Sequence, residues 1–177
     1  MYTPLEFDRA RFGSFARTIL QPAIYGEATP LTVSAMQCAD PIPLAEVAQR
    51  SHEQVEIGWR WGPAWTTAWF HVTGQVPESM RAGCVALRFS SGTEAMVWRD
   101  GEPRRGLDRF RDRVVLFDSA KGGEAVDLRV EAACNHPFGI TAFAWDPPET
   151  QDRWNSDKPG ELQRCELAVF HEDVWRL

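Results

Sequence analysis

Between Thr66 and Val130 the apolar residues recur in short runs, not in long helical stripes. The runs are Trp69, Phe70 and Val72; Val85, Leu87 and Phe89; Met96 and Trp98; Val114-Val115-Leu116-Phe117; and Val126-Asp127-Leu128-Arg129-Val130. Aromatic and β-branched residues alternating over a few positions suit half-buried strands. A further run spans Ile140 to Trp145, and Gly122-Gly123 and Pro147-Pro148 punctuate the series. Asp100-Gly101 predicts a two-residue hairpin, because a type I′ turn needs φ > 0 at both central residues. Roughly seven or eight strands with no alternating βαβ order predict a mainly β fold: an antiparallel jelly-roll sandwich that buries the inner faces of two sheets without crossover helices.

The ends of the chain read differently. Thr3 caps a predicted first helix, with Pro4 at its first position and Glu6 reaching back. Phe12, Phe15 and Ile19 continue it at helical spacing to about Gln21-Pro22. Gly26, Pro30, Pro41 and Pro43 break the next segment, and helical propensity returns only from Leu44 to about His52. Residues 1–55 are therefore expected to be a helical and extended lead-in, and 56–177 the sandwich. Near the end, Leu167, Phe170, Val174 and Leu177 fit one face of a short C-terminal helix, with an apolar stripe left uncovered.

Composition narrows the chemistry. At 44% hydrophobic and 25% charged residues, the chain is expected to pack a single core. Its formal net charge is −6, and no basic run interleaves with aromatics, so the electrostatic footprint of a nucleic-acid or anionic-membrane binder is missing. No apolar run approaches the ~18 residues of a membrane span, and the start lacks the apolar core of a signal peptide. The expected location is cytoplasmic. Cys38, Cys84, Cys134 and Cys165 contain no C-x-x-C pair and read as reduced buried thiols, although their even number leaves a disulfide open. His52, His71, His136 and His171 are isolated from one another, so no metal or other cofactor is expected in this chain.

Four blocks carry a family resemblance. They are Trp61-Gly62-Pro63-Ala64-Trp65-Thr66-Thr67-Ala68-Trp69-Phe70, Glu94-Ala95-Met96-Val97-Trp98-Arg99-Asp100-Gly101-Glu102-Pro103, Glu131 to Gly139, and Cys165 to Trp175. From about Trp59 onward the chain resembles the N-terminal β-domain of the cytosolic and vacuolar α-mannosidases of glycoside hydrolase family 38. There a similar G-P-x-W-x-x-x-W-F block precedes E-x-x-x-W-x-x-G-x-P. The resemblance implies the same galactose-binding-like jelly roll. It also implies a parent enzyme that hydrolyses terminal α-mannosyl residues with retention, using an Asp nucleophile and a zinc- or cobalt-type divalent ion in a catalytic domain beyond Leu177. Residues from about 166 to 177 would lead to that domain. The chain by itself is expected to be non-catalytic, with that domain, mannose-containing oligosaccharide and further copies of itself as the partners implied. A free-standing carbohydrate-binding or assembly module is the alternative.

Eight tryptophans raise the question of sugar binding, since an indole face can stack on the C–H face of a pyranose. Trp65, Trp69 and Phe70 lie among apolar residues at a strand start and suit the core or an inter-domain contact; Trp59 and Trp61 are less decided. Trp98, beside the predicted turn and next to Asp100, is the better candidate for the rim of a sugar cleft. Asn135 and His136, in a loop of turn-forming residues, are a second candidate pair for sugar or the catalytic domain, with a structural loop role as the plainer reading. Glu94, Asp100 and Glu102 surround one hairpin and read as surface charge, not as the two facing carboxyls of a glycosidase. Arg104, Arg105, Arg109, Arg111 and Arg113 are interrupted by Asp108 and Asp112. They read as a solvated or interface loop with internal pairing, with an anion site as the alternative.

Overall fold

The computed structural model describes residues 3–136 and 146–177. At its start the capping box forms: the Thr3 N–H donates to Glu6 Oε2 at 2.7 Å and the Glu6 N–H to Thr3 Oγ1 at 3.3 Å. With two otherwise orphaned donors satisfied, α1 (Pro4–Phe15) continues through a π-helical turn (Ala16–Leu20) into α2 (Gln21–Ala23), close to the predicted end.

Strands β1 (Tyr25–Pro30) and β2 (Thr32–Cys38) follow, then α3 (Leu44–Val47), β3 (Glu53–Val55), β4 (Arg60–Trp61) and β5 (Thr67–Gln75). Next come β6 (Val85–Ser90), β7 (Glu94–Arg99), β8 (Glu102–Leu107), β9 (Arg113–Phe117) and β10 (Ala125–Ala133). The chain then passes through α4 (Pro148–Trp154), β11 (Gly160–Glu161), β12 (Arg164–Phe170) and α5 (Glu172–Trp175). Hydrogen bonding gathers these into a four-stranded sheet of order β1-β12-β6-β9, a six-stranded sheet of order β3-β2-β5-β10-β7-β8, and a small β4–β11 ladder. Each pairing among the described strands is antiparallel.

Period-two alternation places the core between the sheets. From the six-stranded sheet, Val33, Ala35, Ala68, Phe70, Val72, Val97, Leu128 and Val130 face inward; Val85, Leu87, Phe89, Cys165 and Leu167 meet them from the other. Phe70 joins the layers, with ring centroids 5.3 Å from Phe89, 5.8 Å from Trp59 and 6.4 Å from Trp61, each edge to face. Burial of such large rings, with the aliphatic residues around them, drives the closing of the sandwich.

Several expectations change. The extended part of the segment read as a lead-in enters the sheets: β1 pairs with β12, and β2 and β3 form one side of the six-stranded sheet. Helical structure after Leu44 is limited to one turn. Leu167 and Phe170, read as one face of a helix, instead lie on β12, with only Glu172–Trp175 helical. Trp65, for which the core or an inter-domain contact was expected, is 60% exposed and so lies outside this chain's core. The predicted run from Ile140 to Trp145 lies outside the described residues.

Candidate functional site

The outer face of the six-stranded sheet carries the polar half of the alternation. Register aligns Met36, Trp69, Glu131 and Met96 in one row across β2, β5, β10 and β7. Ser34, His71, Arg129 and Trp98 form the next row, and Asp127 stands opposite Thr73 beyond it. Trp69, although on this outer face, is only 1% exposed; Trp98 tilts against it with ring centroids 6.2 Å apart.

Helix α3 overhangs the same face. Leu44 and Ala48 enclose, with Trp98, Asp100, Asp127 and Arg129, a cavity of about 330 Å³. Its polar groups are ordered by one another: Asp127 Oδ1 accepts from Arg129 Nη1 at 2.8 Å and lies 3.0 Å from His71 Nε2, while Arg99 Nε is 3.8 Å from Asp100 Oδ2. The hairpin that presents Asp100 is the predicted one, with φ 55° at Asp100 and 81° at Gly101. An indole bordered by a guanidinium and two carboxylates is chemically able to hold a polyol, combining an apolar face with fixed donors and acceptors.

Asn135 and His136 belong elsewhere. Asn135, 8% exposed, donates from Nδ2 to Glu94 Oε2 at 2.7 Å. His136, 3% exposed, has Nε2 3.3 Å from Asp146 Oδ2, and its ring meets Trp154 at 5.5 Å. Both side chains thus fasten their loop to β7 and α4. Glu94 and Trp98 are four residues apart on β7, roughly 13 Å at a strand's rise, so the two candidate pairs occupy opposite ends of one ladder and do not form a common rim. By the same measure Glu94 and Asp100 stand roughly 20 Å apart, far beyond the spacing of a glycosidase carboxyl pair.

Glu131 occupies the middle of this outer face. Burial pushes its carboxyl above the usual range, only partly offset by the Trp98 indole. Among the described residues no group of three or more His, Cys, Asp or Glu side chains is placed to hold a metal ion. The four cysteines are free thiols, and burial raises each above the ordinary thiol value, Cys165 to about 12.

Asp127 and Arg129 were not singled out from the sequence, although their alternation with the core residues Val126, Leu128 and Val130 places them on this outer face. Their meeting with Trp98 depends on the β7–β10 register, which the sequence does not display. Trp65 had no such signal. It is a bulky residue held at φ 74°, its N–H donating to the Cys134 carbonyl at 2.8 Å, with its indole in solvent. Such a conformation is unfavourable for a residue with a Cβ and persists only where its surroundings enforce it.

A family model described as "Alpha-mannosidase, jelly roll domain" matches residues 29–168. Human Alpha-mannosidase 2C1 is 34% identical over 166 residues, a span covering 89% of this chain and 15% of that protein. The mouse protein of the same name is 31% identical over 165 residues with the same coverage. Alpha-mannosidase G of Dictyostelium discoideum is 27% identical over 138 residues, covering 75% of this chain and 12% of that one. The chain therefore spans about 15% of the length of the mammalian relatives it matches. Among solved structures, Ruminococcus gnavus beta-glucuronidase superposes with a TM-score of 0.51 at 15% identity, over 82% of this chain and 29% of that one. At that identity the likeness shows the fold alone.

Proposed function

This chain belongs to the α-mannosidase jelly-roll domain family, and on that premise we propose that it is the non-catalytic N-terminal domain of an α-mannosidase-type glycoside hydrolase. It packs on, and helps shape, the catalytic domain that hydrolyses terminal α-mannosyl residues. The observation carrying this reading is the 34% identity to human Alpha-mannosidase 2C1, confined to 15% of that protein's length. Chemistry is assigned to the remainder of such an enzyme. A divalent ion of zinc or cobalt type and an Asp nucleophile would reside there; among the described residues no group of three or more His, Cys, Asp or Glu is placed to hold such an ion.

Two exposed features suit contact with that remainder. Trp65 offers a rigid indole, and Leu5, Phe7, Phe12, Phe15 and Ile19 along the N-terminal helices are 49–75% exposed. A helix of this length draws most of its stability from packing an apolar face, which these residues lack among the described contacts. Those same residues are available for homo-oligomer contacts. Action in the cytoplasm fits the free thiols; no described helix is long and apolar enough to cross a membrane.

The test is the native protein captured by an antibody to this chain. The expected result is a mass several-fold above 20.0 kDa together with α-mannosidase activity in the precipitate. A 20.0 kDa species devoid of that activity overturns the reading.

The cavity beside Trp98 favours a second reading, a module that binds mannose-containing oligosaccharide without chemistry. Quenching of tryptophan fluorescence by such sugars, abolished in Trp98→Ala, supports it; an unchanged spectrum at millimolar sugar removes it.

A further inference from the structure

In an unbroken strand Arg104 and Arg105 would project to opposite faces. The β7–β8 register instead steps from Val97 opposite Arg105 to Trp98 opposite Pro103, leaving Arg104 as the extra residue of a bulge. A bulge re-aims side chains, and here both arginines line one cleft of about 380 Å³. Arg99 is the third. Its Nη1 donates to the Leu116 carbonyl at 3.0 Å and its guanidinium lies 4.9 Å from the centre of the Phe117 ring. Val114, Val115 and Leu116 of β9 form the facing wall. Because β8 and β9 are edge strands of the two sheets among the described residues, the cleft lies at the mouth of the sandwich on that side.

We propose that Arg99, Arg104 and Arg105 bind the phosphate of a small phosphomonoester at this mouth. No carboxylate is among the residues lining the cleft. The Arg99 side chain has Asp100 at 3.8 Å, whereas the side chains of Arg104 and Arg105 make no hydrogen bond or ion pair among the described residues. Of the arginines nearby, Arg111 is matched by Asp108 at 2.6 Å, Arg164 by Asp112 at 2.6 Å and Arg88 by Glu166 at 3.0 Å, while Arg109 and Arg113 lie over the aromatic rings of Phe110 and Phe170. In a chain of net charge −6, this concentration of positive charge stands apart. Both arginines are exposed, so water hydrates them, and an anion entering the cleft would meet their positive charge without a competing acid. Their forked donors match a phosphate bidentately. The cleft lies within the range of about 300–1,000 Å³ typical of organic ligands, larger than a bare phosphate requires. The aliphatic side chains of Val114 and Leu116 give the organic part its contact.

Isothermal titration calorimetry of the full 177-residue chain at low salt tests this, with a hexose 6-phosphate as probe beside the free hexose and inorganic phosphate. The ester is expected to bind saturably with a Kd of about 1 mM or tighter, the free hexose not at all, and inorganic phosphate about tenfold more weakly. Affinity should fall as salt screens the cleft. Arg104→Ala/Arg105→Ala should lose at least about tenfold, and Arg109→Ala, whose guanidinium stacks on Phe110, should lose nothing. Where circular dichroism shows the double alanine chain unfolded, Arg104→Lys/Arg105→Lys replaces it, keeping the charge but losing the fork, with a several-fold loss expected. Absence of saturable heat, equal binding by the double variant, or inorganic phosphate binding as tightly as the ester overturns the proposal.

Discussion

Gly160 lies flat against the indole of Trp61, its partner in the β4–β11 ladder, so closely that a Cβ on Gly160 would overlap the Cε2 and Nε1 atoms of the ring. Trp61 is fully buried and meets Phe70 edge to face, so the ring cannot swing away without disturbing the core.

Gly160→Ala is therefore expected to destabilise the chain by about 1–3 kcal/mol, the usual range for overpacking. Urea unfolding followed by tryptophan fluorescence measures it. An unchanged midpoint would mean that the ladder can shift as a unit. No left-handed backbone angle is involved at this position, so the loss would be steric.

Cys165 should be the least reactive thiol. With its value pushed to about 12 by burial and the neighbouring Glu166 charge, only about one molecule in ten thousand would carry a thiolate at pH 8. Cys38 and Cys84 are half-exposed and should be labelled first. Reaction with a chromogenic disulfide, mapped by mass spectrometry, should show Cys165 modified only when the chain unfolds. Rapid native labelling of Cys165 would show that β12 opens.

Glu131 makes stability depend on pH in a calculable direction. Its unfolded carboxyl has a value near 4.5 and its folded carboxyl titrates higher, because burial penalises the charge. Below both values the group is protonated in either state and costs nothing. As pH rises the unfolded chain loses the proton first, so stability falls through that interval and stays lower above it. Glu131→Gln should raise Tm at pH 7, and the gain should vanish below about pH 4. A gain independent of pH would point to packing in place of charge.

Trp65→Gly should relieve an unfavourable backbone angle, φ 74°, at a residue whose side chain is mostly in solvent. Against the extra chain entropy of glycine, a net stabilisation of up to about 1 kcal/mol is expected in the isolated chain. Thermal denaturation measures it. A clear loss of stability would show that the exposed indole packs within this chain.

Where a feature depends on neighbours in sequence, reading it in advance succeeded. The Thr3–Glu6 capping box and the Asp100-Gly101 turn are local devices, and alternation in β5 and β10 declares which residues enter the core. Strand β1 could not be read this way. Its residues are mostly exposed, it contains Gly26 and Pro30, and among the described residues its sheet neighbour is β12, far along the chain. The helical reading of Leu167 and Phe170 failed for a different reason. Leu167 points into the core, while Phe170 lies under the Tyr25 and Trp175 rings and the Arg113 guanidinium on the other face. A strand covered on both sides loses its alternation, and a spacing of three then imitates a helix. At the candidate site, position beside a turn singled out Trp98 and Asp100 as candidates, and the structure places both along one cavity. Asn135 and His136 are turned inward by Glu94 and Asp146, partners that no nearby residue announces.

The sheet order β1-β12-β6-β9 sets a schedule for synthesis. Strand β1 leaves the ribosome before the other described strands, yet it must remain unpaired until roughly 135 more residues have been added, about 7–27 seconds at ~5–20 residues per second. During that interval β6 can pair with β9, but β12, which joins β6 to β1, is still missing. The nascent chain thus presents open strand edges to whatever surrounds it, and chaperone contact should be concentrated in the time before residue 170 emerges.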